Sequence, residues 1–274
     1  MRIIAVANQK GGVGKTTTTF TLGVVLARRG HEVVVIDMDP QANLTSVTLN
    51  RDVPDDEALA GAVRDVLTGG AADLGLRAVP AGDREHLRVV PAGIDLASAY
   101  TALESSAFGL MAFDRLFRSA NFGAEYILVD FPPSLSKPVV AALYACDEVL
   151  VPFEGSKFGV EGWRLVTGTL EQIRAAAGRA PRLLGTFLNA ASSRTRATAD
   201  AQRFLRKLER DAGVRFFGTA PRSTEVEYAT RALQAIVERD GLALGAWKTA
   251  RAFELLADGV EEAGSTTDHA EVVA

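Results

Sequence analysis

Two lysines flank a glycine-rich stretch near the start of the sequence, Lys10-Gly11-Gly12-Val13-Gly14-Lys15-Thr16-Thr17. Residues of these types in this order can hold a phosphate. Glycines let the backbone curl until successive N–H groups point into one concavity, and the start of a following helix adds partial positive charge. In that geometry Lys15 lies against the β- and γ-phosphates, the Thr16 hydroxyl ligates Mg²⁺, and Thr17 reaches the α-phosphate side. A metal there needs a carboxylate. Tyr126-Ile127-Leu128-Val129-Asp130 is an apolar strand ending in an acid, so Asp130 would reach the metal through a water. A second acidic strand end, Val35-Ile36-Asp37-Met38-Asp39-Pro40-Gln41, would bring Asp37 and Asp39 to the same edge. Transfer of a phosphoryl group to water depends on positioning and charge stabilisation, so one carboxylate should orient the water. Asp39, farther beyond the strand, suits that role. Asp37 suits support of the loop and the metal shell.

The elements that must hold these groups alternate along the chain. RIIAVA leads into a helix over 15–29, and HEVVVID is a second strand of continuous β-branched residues. A helix over 58–67, the strand HLRVVPAG and one or two helices over 95–118 follow. EYILVD, DEVLVPF and RLLGTFLN are further apolar strands, separated by helices over 135–145 and 160–177. A basic helix over 198–211, the strand VRFFG and helices over 225–239 and 246–257 complete the pattern. This order predicts an α/β fold: a doubly wound, mainly parallel sheet with helices on both faces. No repeat or linker divides it. One domain over 1–262 with a disordered tail over 263–274 is expected.

Composition narrows the class. The 274 residues are 47% hydrophobic and 23% charged, as in a globular protein with a substantial core. The one cysteine, Cys146, excludes a disulfide framework or a cysteine-rich metal site within one chain and fits a reducing cytoplasm. No stretch approaches the roughly 18 apolar residues of a membrane span. The net charge is −4, yet residues 164–222 hold 12 Arg and Lys against 4 Asp and Glu. On charge alone this segment reads either as a solvated helical surface or as a face for a polyanion.

KGGVGKTT, VVVIDMDPQAN and YILVDFPPS, in that order, resemble the ParA/Soj group of the deviant Walker A ATPases, P-loop NTPases related to MinD, arsenite-pump ATPases and nitrogenase iron protein. The likeness runs from residue 1 to about residue 240, with fainter echoes in VVPAGIDLA, DEVLVPFEGSKFGVEG and APRSTEVEYATRA. It implies an ATPase using ATP and Mg²⁺, with Gly11, Gly12, Val13, Gly14, Lys15, Thr16 and Thr17 around the phosphates. Lys10 would be the signature lysine, reaching across an ATP-dependent homodimer to the phosphates of the other subunit, like an arginine finger supplied in trans. Asn189 would face the adenine, with Pro221 and Arg222 beside it. Arg194, Arg196, Arg203, Arg206, Lys207 and Arg222 would form the face that binds DNA without sequence preference, in a salt-dependent way.

The same resemblance implies a partition ATPase, cytoplasmic and nucleoid-associated, whose hydrolysis is stimulated by a ParB-like centromere-binding protein. Some residues depart from the family pattern. Ala42 replaces a common glycine, which should be harmless, and Phe131 replaces a small residue. Glu154 stands where many relatives have Gln, and Tyr228 where many have Glu. A ParA-like protein positioning another cargo is an alternative, as is a MinD-like membrane switch. Trp247 to Leu256 is weakly amphipathic, but Asp258, Glu261 and Glu262 follow it, and an acidic flank is repelled by anionic lipid. Docking of that helix on the core, and no membrane partner, is the expectation. A single cysteine cannot supply its share of an iron–sulfur cluster of the nitrogenase type.

Overall fold

Ile3, Ile4, Ala5 and Val6 are all fully buried, and alternate ones face opposite cores. A strand that is apolar without alternation sends successive side chains to opposite faces, so both faces must be covered. The computed structural model describes residues 1–49, 59–67, 77–93, 95–105, 111–120, 122–134, 136–155, 159–192 and 195–265. In it this strand, β1 (Arg2–Val6), lies inside an eight-stranded sheet. In chain order there follow α1 (Lys15–Arg28), β2 (Val33–Asp37), α2 (Asn43–Thr48), α3 (Leu59–Leu67), β3 (Val79–Pro80), β4 (Leu87–Val90), α4 (Leu96–Glu104), α5 (Ala112–Ser119) and β5 (Tyr126–Asp130). The second half holds α6 (Lys137–Ala145), β6 (Glu148–Glu154), α7 (Gly159–Ala177), β7 (Arg182–Ala191), α8 (Arg196–Ala212), β8 (Phe216–Pro221), α9 (Thr224–Arg231) and α10 (Leu244–Ser265).

The strands lie in the order β3-β4-β2-β5-β1-β6-β7-β8, parallel except for the short β3, which runs antiparallel to β4. After β1 the chain moves to one side of the sheet, and after β5 to the other. The loops that leave these neighbouring strands therefore diverge and open a crevice at their carboxyl ends. One core packs α3 to α8 against Ile3, Ala5, Val34, Ile36, Ile127 and Val129, with Phe113, Phe117 and Phe131 at its centre. The other packs α1, α2 and α10 against Ile4, Val6, Val33, Val35 and Leu128, with Phe187 against Phe253. This is the single α/β unit with helices on both faces that the strand–helix alternation predicts.

Where the elements differ from the sequence pattern, the causes are non-local. The helix expected over 225–239 stops at Arg231; Leu233 follows at φ 57°, and a 3-10 turn covers Ile236–Glu238. Glu238 caps that turn by accepting from Ala235 N at 2.6 Å and from Arg84 Nε at 2.8 Å, a partner 154 positions away. The strand β3 is two residues long and leaves no periodic trace. The helix expected to end near Ala257 runs on to Ser265, since Val260 and Ala263 still face the core. Residues 263–265 thus belong to α10 and not to the expected tail, whose remainder, 266–274, lies outside the described residues.

Candidate active site at the carboxyl edge of the sheet

The loop after β1 is held from below. Asn8 is buried, accepts from Lys10 N at 3.0 Å and donates from Nδ2 to Pro152 O of β6 at 2.8 Å. Gly12 and Gly14 have φ of 76° and 82°, a region where a Cβ is unfavourable. At Gly14 there is no room either: a Cβ would lie 1.9 Å from Asn189 Nδ2. Gly14 is also the N-cap of α1, and no side chain caps the helix, so its first-turn amides remain available to a ligand.

Behind the loop the charged groups are buried and crowded. The Thr16 hydroxyl donates to Asp130 Oδ2 at 2.7 Å, and Asp130 is 1% exposed. Burial and then the charge of Asp37 push the Asp130 carboxyl well above the usual range, against the Thr16 hydrogen bond and Lys15. Asp37 is the register partner of Asp130 across β2 and β5 and is fully buried. Its Oδ2 accepts from Thr45 N at 2.8 Å and Thr45 Oγ1 at 2.7 Å, and its Oδ1 from Asp39 N at 3.1 Å. Burial outweighs these bonds and raises its pKa to about 6. Lys15 is depressed by burial, which wins over the attraction of Asp130 and Asp39, and its Nζ donates to Lys10 O at 3.0 Å. Asp39 is half-buried beyond the strand end, with Oδ1 accepting from Gln41 N at 3.0 Å.

This donor set fits Mg²⁺. A hydroxyl and one carboxylate, already in contact, suit a hard cation that takes its remaining oxygens from phosphates and water. Thr16 and Asp130 form that pair. Both oxygens of Asp37, also expected in the metal shell, accept from protein donors, and through Oδ1 it braces the loop of Asp39. Ala42, expected to be a harmless change from glycine, sits at φ 53° at the start of α2, where a Cβ costs about 1–2 kcal/mol.

The remaining expected residues fall into two groups. Asn189 lies against the loop, donating to Gly14 O at 3.4 Å and accepting from Ala190 N at 2.8 Å. Pro221 is the register partner of Ala191, and Arg222 N donates to Ala191 O at 2.9 Å. Arg196, Arg203, Arg206 and Lys207 are exposed along α8, and Arg203 pairs with Asp200. Arg194 lies outside the described residues. Two positions without a sequence signal matter here. One is Asn8, a polar residue just past an apolar strand. The other is Thr45, whose hydroxyl donates to Asp37 and accepts from Ala92 N at 2.8 Å, bridging β2 to the end of β4.

With this geometry in hand, the relatives are informative. A family model described as an AAA domain matches residues 1–180. The chain is 34% identical to "Chromosome-partitioning ATPase Soj" of Thermus thermophilus, over 96% of this chain and 98% of that protein. The chain belongs to the Soj/ParA family. "Sporulation initiation inhibitor protein Soj" of Bacillus subtilis, another member, is 33% identical over 77% of this chain and 81% of its own length. The fold is shared more widely than the sequence. The ATP complex of Cyanothece McdA superposes with a TM-score of 0.81 at 22% identity, covering 99% of both chains. Among the described residues of this Soj/ParA member, no helix is long and apolar enough to cross a membrane.

Proposed function

We propose that this chain is a Mg²⁺-dependent ATPase that partitions DNA, working as an ATP-dependent dimer. The observation that carries the reading is the contact of Thr16 with the buried Asp130 beside a loop that bears both Lys10 and Lys15. The bound metal would neutralise charge on the phosphates. Gly11, Gly12, Val13 and Gly14 let the loop backbone surround the phosphates, and Thr17 completes the α-phosphate side. Lys15 moves from Lys10 O to the β- and γ-phosphate oxygens. Asp39, braced through Asp37 and Thr45, orients the attacking water. Lys10 belongs to the phosphates of the second subunit, so the site is completed by dimerisation. Asn189, Pro221 and Arg222 hold the base side.

The basic stripe of α8 supports nonspecific DNA binding. Exposed arginines at one-turn and two-turn spacing match a phosphate backbone in charge. Release from DNA would follow hydrolysis, stimulated by a ParB-like partner, in a cytoplasmic, nucleoid-associated protein.

The test is DNA binding with ATP, with ADP and without nucleotide. Binding with ATP alone, falling steeply with salt, is expected; equal binding in all three states, or none with ATP at low salt, overturns the partition reading. Lys10→Ala should lose ATP-dependent dimers while retaining nucleotide. Asp39→Ala should accumulate dimers by slowing hydrolysis, and normal turnover in that variant would remove Asp39 from the water-positioning role.

A further inference from the structure

Lys10 has a carboxylate partner within its own chain. Its Nζ lies 3.1 Å from Glu154 Oε2, with the side chains 26% and 27% exposed, and Glu154 Oε1 is 3.6 Å from Arg222. Neither end of the Lys10 pair is loose. Glu154 closes β6 and is still in register with Asn189 of β7. The backbone under Lys10 is tied to the same strand through Asn8 and Pro152, two residues before Glu154. Gly162 of α7 closes over that tie: a Cβ there would lie 2.6 Å from Asn8 Oδ1. The contact therefore joins two anchored backbones, and a swing of the Lys10 side chain is enough to break it.

We propose that Glu154 is a positioning residue that latches Lys10 within its own subunit and sets how readily the lysine is given to a second, ATP-bound copy of the chain. The inference rests on the trans role of Lys10 proposed above. Lys10 cannot hold Glu154 and the partner's phosphate at once, so the latch opposes dimerisation. Each dimer opens two latches, and the effect of one pair enters the equilibrium twice. A partly exposed ion pair shifts an equilibrium by about threefold, which becomes about tenfold in the dimer dissociation constant. Glu154 is not abandoned when Lys10 leaves, because Arg222 remains beside it. Opening therefore strands no carboxylate, which keeps the latch weak enough for ATP to open it.

The experiment is sedimentation of the full chain with ATP and Mg²⁺, without DNA, for the wild type, Glu154→Gln and Glu154→Asp. Glu154→Gln, close in shape but uncharged, should tighten the dimer about tenfold at low salt, and the gap should narrow as salt screens the wild-type pair. Glu154→Asp, which keeps the charge, should stay near the wild type. A residue with a merely structural role would give the reverse order, with Gln neutral and Asp disruptive, and that result overturns the latch. A Gln variant that dimerises no more tightly than a dimerising wild type overturns it as well. If the wild type itself forms no dimer with ATP, the trans role of Lys10 fails first and the latch falls with it.

Discussion

The two edges of the sheet give their buried acids opposite surroundings. At the amino edge acids meet bases. Glu148 Oε2 accepts from Arg2 at 2.9 and 2.7 Å, while its other oxygen meets Arg182. Arg29 pairs with Asp258 and Glu261, Arg118 with Asp114 and Asp147, and His86 with Glu32. At the carboxyl edge Asp37 and Asp130 are strand neighbours, and the nearest lysine, Lys15, turns its ammonium to a carbonyl. The titrations follow suit. Glu125 at the amino edge is held below the usual range by its hydrogen bond with His31, whereas Asp37 and Asp130 are pushed above it by burial. One edge is compensated from within and serves the fold. At the other, Glu154 is likewise paired, with Lys10 and Arg222. The neighbouring Asp37 and Asp130 instead take their hydrogen bonds from threonines and backbone, and a metal and a triphosphate would supply the missing positive charge.

The contrast breaks most sharply if the same kind of change has opposite effects at the two edges. Asp130→Asn should lower ATP turnover by about two orders of magnitude or more, because the metal loses its carboxylate. The same substitution should stabilise the ligand-free protein by about 1–2 kcal/mol, since a buried charge facing Asp37 disappears. Thermal unfolding and steady-state hydrolysis on one preparation read both. A ligand-free protein that melts lower with Asn would mean that Asp130 is compensated after all.

Glu148→Gln at the amino edge should do the reverse. It leaves Arg2 and Arg182 without a full partner in a partly buried position, for a loss of about 2–3 kcal/mol. Turnover per folded molecule should stay within about twofold, because the partners of Glu148, Arg2 and Arg182, lie at the opposite end of their strands from the site. Denaturant unfolding beside an ATPase assay separates the two quantities.

The two edges also differ in how far they can be read from sequence. The carboxyl edge was legible because its chemistry is local: a loop of consecutive residues, and acids that end continuous apolar runs such as VVVID and YILVD. Parallel pairing then brings those ends together, which is a property of the topology. What stayed hidden was the bracing. Thr45 looks like any helix residue, yet it ties Asp37 to Ala92, 47 positions on. Asn189 is legible as a polar strand end, but not its packing against Gly14, which depends on the approach of β7 to the loop. The amino edge was nearly silent, since ion pairs such as Arg2 with Glu148 join residues 146 positions apart. The early end of α9 has the same origin in Arg84.

Thr45→Val sharpens the comparison at a brace. The change keeps the shape and removes a hydroxyl that donates to Asp37 and accepts from Ala92 N in the buried interior. A loss of about 1–2 kcal/mol is expected. Because Asp37 also receives Asp39 N, hydrolysis should slow through misplacement of Asp39 while nucleotide affinity holds. A change in affinity with unaltered turnover would place the brace under the phosphates and not under the water.

The smallest effect belongs to the amino edge and is read by pH. His31 Nδ1 lies 3.1 Å from Glu125 and Nε2 2.8 Å from Glu261, with the ring edge-on to Tyr126. Burial lowers its pKa, but the two carboxylates win and the net shift is upward from 6.5. A raised pKa means that the folded state holds the proton more tightly. The stability from this group is therefore fully present below the unfolded pKa and is lost as pH rises through the folded one. Solvent screening at this open site keeps the contribution below about 1 kcal/mol. Asp37, raised to about 6 from 3.8, also withdraws stability as pH rises, but in the lower window between those values. These two groups therefore titrate in successive ranges. His31→Gln should flatten the stability profile above about pH 6.5 and, by releasing Glu125 from its hydrogen bond, also trim that carboxylate's contribution on the acid side. A variant whose profile above about pH 6.5 matches the wild type would mean that Glu125 and Glu261 do not hold the His31 proton, and the amino edge would not be compensated by its own pairs.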